Sequence, residues 1–271
     1  MQTYRRMIGA THQGHPKEVV MAVHDIVATV SFVEQVKGGN AMGSATGFFY
    51  TRGDDLFLVT NKHVVRDEDR GVLPDLLRLR LHQDANDLTK NGVYDVPLYA
   101  SGQPLWKGPP QPQIADVALL RLNRPEITRT FLIKALSAAS FLPERYVLHP
   151  GEDVFVMGYP LGFYDERHNL PVFRNAMIAS VHGVAFEGLP LFLTDANLHP
   201  GTSGSPVITK PKSTWVDEAG NTALVTGTVY YLVGIHSGTW EPRGVPVGLG
   251  AAWYANLIED AAASFESPPP P

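Results

Sequence analysis

From Asp25 onward the chain alternates short apolar runs with turn residues, a pattern typical of many short β-strands. In the first half the runs predict strands at Ile26–Gln35, Ala45–Thr51, Leu56–Asn61, Leu76–His82, Val93–Ala100 and Val117–Leu122. In the second half they predict strands at Asp153–Gly158, Val172–His182, Leu191–Asp195, Ser205–Thr209 and Val247–Tyr254, with a hairpin or one long pair over Thr222–His236. The Pro/Gly-rich stretch from Ser101 to Pro112 is expected to be an exposed loop.

Two sets of about six strands followed by one helix predict an all-β chain with two antiparallel β-barrels side by side. The linker between the sets is predicted within Arg121–Arg145, where Pro125 and Pro143 lie. The predicted units are an N-terminal arm (residues 1–24, with a helix over 16–22), a first barrel (25–135), a second barrel (136–255) and a terminal segment (256–271). That last segment combines an alanine-rich helix over 256–265 with a proline tail.

The composition excludes several kinds of functional site. The 271 residues suffice to bury a core without covalent staples, and none of them is cysteine. A disulfide framework, a cysteine zinc site, an iron–sulfur cluster and a cysteine nucleophile are therefore excluded. The 25 glycines and 22 prolines indicate many turns, in keeping with many short strands.

Charge and hydropathy bear on partners and location. The formal net charge of −5 argues against a strongly basic nucleic-acid surface. The apolar run Val19–Val23 is too short for a signal peptide, and no run approaches the ~18 residues of a membrane span. We therefore expect a cytoplasmic protein, or a secreted one if a leader has been removed. His12 and His15 lack further ligands nearby, so we predict no metal site and no cofactor.

The most specific string is His-Pro-Gly-Thr-Ser-Gly-Ser-Pro-Val at residues 199–207. It places Ser203 between glycines ahead of a predicted strand, where a nucleophilic hydroxyl can stand clear on a tight turn. Gly201 allows backbone N–H groups to approach a developing oxyanion. By itself the string is also compatible with an ordinary turn.

A serine nucleophile needs a histidine base, which a carboxylate orients. His63 follows the apolar run that begins at Leu56, so a rigid strand would deliver it to a loop mouth. Asp116 stands at the head of another apolar strand, where a carboxylate is costly unless it is hydrogen-bonded. Singly each residue fits a structural role, but the ordered set His63, Asp116 and Ser203 predicts a catalytic triad.

Three blocks resemble the signature motifs of trypsin-like (chymotrypsin-fold) serine proteases: Thr-Asn-Lys-His-Val-Val at 60–65, Ala-Asp-Val-Ala-Leu-Leu at 115–120, and Gly-Thr-Ser-Gly-Ser-Pro at 201–206. The resemblance is closest to the disulfide-free bacterial HtrA-like and glutamyl-endopeptidase-like enzymes. Further agreement comes from Gly-Ser-Ala-Thr-Gly at 43–47 and Gly-Ile-His-Ser-Gly at 234–238. The resemblance implies two six-stranded barrels with the active site between them, and a protein or peptide substrate cleaved through an acyl-enzyme. It also implies an oxyanion hole made by the N–H groups of Gly201 and Ser203.

Two departures from the family pattern matter. Thr202 stands where secreted members carry an aspartate that pairs with a new N-terminus, so propeptide activation is not expected. The chain either folds directly to an active state or has its oxyanion loop ordered by a regulatory protein partner. Too few residues follow Tyr254 for the PDZ domain that is typical of HtrA-like enzymes.

The resemblance also predicts the S1 pocket, which binds the P1 side chain of the substrate. Its walls are expected to be Asn197, Leu198 and His199 on one side and His236, Ser237 and Gly238 on the other. The histidine at 236 is similar to that of glutamyl endopeptidases, which favours an acidic P1 residue, whereas Leu198 favours a small or medium apolar one.

Other functions fit less well. A catalytically silent trypsin-like scaffold that binds a partner is the main alternative, although all three triad residues are present. An α/β-hydrolase elbow needs glycine where Ser205 stands, and the order of triad residues also differs. No P-loop or dinucleotide motif follows a predicted strand.

Overall fold

The computed structural model describes residues 25–217, 219–224 and 229–266. The predicted N-terminal arm, its helix and histidines, and the proline tail lie outside these residues. Within the described ranges, no helix has the length and apolar character needed to span a membrane.

The first half folds into one antiparallel sheet of seven strands, in the spatial order β5-β4-β1-β2-β3-β9-β8. Its strands, together with the separate β6–β7 pair, are β1 (Val30–Lys37), β2 (Asn40–Arg52), β3 (Asp55–Thr60), β4 (Leu76–His82), β5 (Asn91–Pro97), β6 (Tyr99–Ala100), β7 (Gln103–Pro104), β8 (Trp106–Lys107) and β9 (Ala118–Leu122).

The second half forms a closed antiparallel barrel of six strands in the order β10-β11-β12-β17-β16-β13, and β14 and β15 make a separate hairpin. The strands are β10 (Asp153–Gly158), β11 (Val172–Ile178), β12 (Leu191–Asp195), β13 (Pro206–Thr209), β14 (Thr214–Val216), β15 (Thr222–Leu224), β16 (Leu232–Trp240) and β17 (Leu249–Tyr254). The predicted all-β, double-barrel fold is confirmed, with a first sheet that holds seven strands.

In the part of the chain that the structure describes, three α-helices connect or flank the sheets: α1 (Lys62–Val65), α2 (Arg124–Thr130) and α3 (Asn256–Ala263). Short 3₁₀ turns cover Asp25–Thr29, Ala138–Ser140, Pro160–Gly162 and Pro242–Gly244. The helix α2 lies within the stretch predicted as a linker. Asn123 caps it by accepting the Glu126 N–H (3.4 Å), and Pro125 lies in its first turn, where a proline is tolerated.

Some element predictions were wrong in detail. The strand expected from Val93 to Ala100 breaks before β6, and the predicted loop over 101–112 contains β7 and β8. The stretch 222–236 is not one hairpin, because β15 pairs with β14 whereas β16 pairs with β13 and β17. The first predicted strand begins instead as a 3₁₀ turn over 25–29.

The strands β2 and β3 have continuous apolar runs, and both of their faces are buried. On β3, Phe57 and Val59 pack into a core that is shared with the second barrel, whereas Leu56 and Leu58 pack into the core of the first. The shared core also includes Met157 of β10 and the buried face of α3. The two halves therefore meet along a packed interface, and the ends of their strands line a cleft.

Candidate active site

A cavity of about 650 Å³ lies between the two halves. The first half contributes His63 and Asp116 to its lining, and the second contributes Ser203. His63 lies in α1, three residues after the end of β3, and Asp116 lies two residues before β9, so adjacent strands of one sheet deliver both side chains. The three predicted triad residues thus line one cavity.

The histidine and the aspartate are joined by two hydrogen bonds. His63 Nδ1 lies 2.7 Å from Asp116 Oδ2, and the backbone N–H of His63 donates to Oδ1 at 2.9 Å. The buried side chain of Asn61 donates to the Asp116 carbonyl (2.7 Å), which ties the start of α1 to this loop. With Nδ1 turned to the carboxylate, Nε2 is the nitrogen left for a proton transfer.

The carboxylate of Asp116 accepts a third hydrogen bond, from the hydroxyl of Ser237 (2.5 Å). Burial by itself raises the pKa of Asp116, but the hydrogen bonds from His63 and Ser237 and the charge of His63 outweigh burial, so the pKa is lowered. The carboxylate therefore stays ionised at neutral pH and can stabilise a protonated His63.

Ser203 is half-buried in the cavity lining, and its hydroxyl donates to the carbonyl of Ser237 at 3.3 Å. Among the described residues, no hydrogen bond joins this hydroxyl to His63. The hydroxyl must therefore turn from the Ser237 carbonyl towards His63 before His63 can take the proton.

The segment that carries the Gly201 and Ser203 N–H groups, called the oxyanion loop here, begins with a tight turn from His199 to Thr202. The Thr202 N–H donates to the His199 carbonyl (3.3 Å), and Gly201 has a φ of 95°. Proline and then a positive-φ glycine at the two central positions are the signature of a type II turn. The Pro200 carbonyl accepts from the Leu161 N–H (2.6 Å). The Pro200 carbonyl and the Gly201 N–H belong to the same planar peptide group and point in opposite directions, so the Gly201 N–H points away from Leu161.

Within the described part of the chain, neither the Gly201 N–H nor the Ser203 N–H has a hydrogen-bond acceptor. Neither of the two N–H groups predicted for the oxyanion hole is therefore engaged within these residues, and the assignment stays a prediction. Only glycine fits at 201, because a Cβ there would lie 2.4 Å from the carbonyl oxygen of Tyr159. A side chain would also be strained at this positive φ.

The structure separates the residues predicted for the S1 pocket. Leu198, His199, His236 and Gly238 line the cavity, whereas Asn197 is exposed outside the lining and its carbonyl accepts from Arg174 (2.9 Å). Ser237 lines the cavity, but its hydroxyl is engaged with Asp116. The S1 assignments stay predictions.

His236 is 3% exposed, and its Nδ1 is buried without a hydrogen-bond partner. Burial and, to a smaller extent, the nearby His63 lower the pKa of this imidazole while Asp116 opposes the shift, and the net pKa is about 4. At neutral pH the cavity wall thus carries an uncharged imidazole.

Sequence reasoning missed two groups around the loop, the Thr46 hydroxyl and the Leu161 N–H. It also missed the contact of Ser237 with Asp116. The string at 43–47 pointed to Thr46 without a role, since only the packed structure shows what its hydroxyl meets. Across the described residues, no group of three or more histidine and acidic side chains is arranged to hold a metal ion.

A family model for the trypsin-like peptidase domain matches residues 45–216, which is more than half of the chain. The chain therefore belongs to the trypsin-like peptidase family, a family of serine endopeptidases. No curated protein matches the sequence significantly.

Solved structures of proteases share the fold. The serine endoprotease from Yersinia pestis is 16% identical over 88% of this chain and 63% of its own, with a TM-score of 0.52. The HtrA-type protease AlgW with tripeptide is 17% identical over 88% and 60%, with a TM-score of 0.50. The active form of a protease from M. tuberculosis is 18% identical over 91% and 86%, with a TM-score of 0.49. The chain thus spans less than two thirds of the length of the Yersinia pestis endoprotease and of AlgW.

Proposed function

We propose that the protein is a serine endopeptidase that cleaves peptide bonds through an acyl-enzyme, with His63, Asp116 and Ser203 as its triad. The observation that carries this proposal is the doubly hydrogen-bonded His63–Asp116 pair in the same cavity as Ser203. The two available N–H groups of the oxyanion loop support the same chemistry.

The geometry supports the following sequence of steps. The Ser203 hydroxyl rotates from the Ser237 carbonyl to His63 and attacks the peptide carbonyl, while Nε2 takes its proton. The resulting oxyanion accepts from the N–H groups of Gly201 and Ser203, each typically worth ~2.7–4 kcal/mol. His63 then protonates the leaving amine and later activates the water that hydrolyses the ester.

Labelling with a fluorophosphonate probe tests the proposal. The wild type is expected to react, and Ser203→Ala should not. Ser213→Ala, which removes an exposed hydroxyl outside the cavity, is the matched control and should react like the wild type. A wild type that neither labels nor cleaves any peptide library favours the silent-scaffold alternative.

Asp116→Asn tests the orienting role of the carboxylate. It should lower kcat by about 10⁴-fold, because the amide holds the wrong imidazole tautomer. Thermal unfolding should show that the variant is folded. If kcat stays within a few-fold of the wild type, Asp116 is not the orienting group.

We further propose that the oxyanion loop is ordered by the chain itself and not by a regulatory partner. The support is the hydrogen bond from the Leu161 N–H to the Pro200 carbonyl, since this contact orients the peptide group that bears the Gly201 N–H. The purified protein should then react with the probe without any addition. Labelling that requires a second protein contradicts this proposal.

For P1 we propose an acidic side chain, received by the imidazole of His236. The place of His236 in the cavity lining, beside Ser237 and Gly238, supports a role in binding. A peptide library that varies P1 should show glutamate preferred by the wild type, and this preference should be lost in His236→Ala. Preference for a small or medium apolar residue in both proteins assigns the pocket to Leu198 instead.

A further inference from the structure

One buried hydroxyl connects the two halves at the oxyanion loop. Thr46 lies on β2 of the first sheet and is fully buried, with 0% exposure. Its hydroxyl donates to the Gly201 carbonyl (2.8 Å) and accepts from the Tyr159 N–H (3.1 Å). Its backbone N–H donates to the Ser203 carbonyl (2.9 Å). All three partners belong to the second half of the chain.

These contacts lie beside the two oxyanion donors. Each peptide group is planar, so holding its carbonyl also fixes its N–H. The Leu161 N–H holds the peptide group that carries the Gly201 N–H. Thr46 holds the next peptide group through its hydroxyl and, through its backbone N–H, the one that follows Ser203. The Ser203 N–H thus belongs to the one peptide group that lies between two groups held by Thr46.

The surroundings leave this hydroxyl a single arrangement. A Cβ on Gly158 would lie 2.6 Å from Thr46 Oγ1, so the neighbouring strand approaches as closely as glycine allows. The carbonyl of Thr46 in turn accepts from the buried hydroxyl of Thr60 (2.8 Å). A hydroxyl that both donates and accepts at such a site is fixed in orientation, and an apolar isostere would leave the Gly201 carbonyl and the Tyr159 N–H unpaired.

We propose that Thr46 is a positioning residue for the oxyanion hole: its hydroxyl aligns the loop that carries the Gly201 and Ser203 donors. The proposal rests on the proposed function, because the alignment matters only if Ser203 forms a tetrahedral intermediate. It predicts that the loss of the hydroxyl weakens transition-state stabilisation more than substrate binding.

The comparison of Thr46→Val with Thr46→Ser tests this role. Valine keeps the shape and removes the hydroxyl, and kcat should fall about 10- to 100-fold with KM little changed. This loss is smaller than the 10²–10³-fold loss on deleting a donor outright. Serine keeps the hydroxyl and should retain most of kcat. Thr209→Val is the matched control, because Thr209 is also fully buried and its hydroxyl holds the Tyr231 N–H (3.0 Å) in the second barrel.

A peptide aldehyde gives a second readout. Ser203 Oγ adds to the aldehyde carbon while the serine proton moves to His63, and the former carbonyl oxygen occupies the oxyanion hole. The inhibition constant should therefore rise in Thr46→Val by the same factor as kcat/KM falls. If the valine variant does not fold, Thr46→Cys offers a weaker donor and should give an intermediate loss.

The outcomes separate the two proposals. If the wild type labels with the fluorophosphonate but Thr46→Val keeps its kcat and its aldehyde affinity, the positioning role is overturned and the proposed function stands. Equal losses of activity in Thr46→Val, Thr46→Ser and Thr209→Val, matched by equal losses of melting temperature, also overturn it. If the wild type does not label, the proposed function itself fails.

Discussion

At the scale of single residues, His236 shows how burial determines the protonation state of a side chain. Its imidazole is enclosed by the second barrel near Gly250, and a Cβ on that glycine would lie 3.3 Å from the ring. The ring stays neutral because the enclosure disfavours the protonated form. At low pH the enclosure lowers the stability of the folded state, because the same histidine is freely protonated in the unfolded chain.

The free energy of unfolding should therefore fall as the pH drops from 6.5 towards 4. The pKa of His236 is lowered from 6.5 to about 4, so between these values the unfolded state binds the proton and the folded state does not. This difference corresponds to about 3 kcal/mol at the lower end. Urea unfolding at several pH values should show a flatter pH dependence for His236→Gln than for the wild type.

Thr209→Val supplies the control for this experiment: Thr209 is also fully buried in the second barrel but carries no ionisable group, so this variant should keep the wild-type pH dependence. Identical pH dependence in His236→Gln and the wild type contradicts the assignment of a neutral, buried imidazole.

At the scale of elements, α3 follows the second barrel but binds the first sheet. Its residues Leu257, Ile258, Ala261 and Ala262 are buried in the shared core. Glu259 accepts from the hydroxyl of Tyr50 (2.6 Å) and from Arg52 Nε (2.8 Å), both on β2. Burial and the neighbouring carboxylate raise the pKa of Tyr50, so its hydroxyl remains a donor.

Glu259→Ala should lower the free energy of unfolding by about 1–3 kcal/mol, because it leaves the buried Tyr50 hydroxyl without its acceptor. Asp260→Ala, one residue further on an exposed position of the same helix, is the matched control and should change it by less than about 0.5 kcal/mol. Urea titrations of both variants provide the measurement. Equal losses in the two variants would contradict a specific role for the contact between Glu259 and β2.

Elements with long apolar runs could be predicted from the sequence, and short ones could not. The prediction of α3 ended two residues late, and β3, β4 and β12 agree within a residue. The two prolines within Arg121–Arg145 predict a linker there, but Pro125 lies in the first turn of α2, where a proline is tolerated. The strands of two or three residues carry no period, so nothing in the sequence distinguishes them from loops.

The same limit applies to the site. Motif spacing predicts His63, Asp116 and Ser203 as a triad, because each lies in a short string that resembles a trypsin-like motif, and the structure brings all three to one cavity. The contacts that support them join positions far apart in sequence: 121 residues separate Ser237 from Asp116, and 155 separate Thr46 from Gly201. Such pairs arise only when the two halves pack, so no local pattern predicts them.

At the scale of the whole molecule, both halves and α3 contribute to one shared core. The loss of either half would expose apolar side chains of the other, so we expect the halves to unfold together. The four tryptophans report on both halves, since Trp106 lies in the first sheet and Trp215, Trp240 and Trp253 lie in the second half.

Protein labelled with 5-fluorotryptophan should show coincident midpoints for all four ¹⁹F resonances in a urea titration. Leu77→Ala, in the core of the first half, should lower every midpoint together, as expected for a loss of about 2–5 kcal/mol. A Trp106 resonance that changes at lower urea than the Trp253 resonance would show that the halves unfold separately.

The two faces of β2 and β3 also determine how this fold can be recombined. Phe48, Tyr50, Phe57 and Val59 point to the shared core, whereas Phe49, Leu56 and Leu58 point to the first barrel. Consider a chimaera that joins this second half to a first half from another family member. The side chains of its β2 and β3 that point to the shared core have to fit this second half, whereas those that point to the first barrel can remain unchanged. The boundary between the exchangeable parts is thus one face of two strands and not a position along the chain.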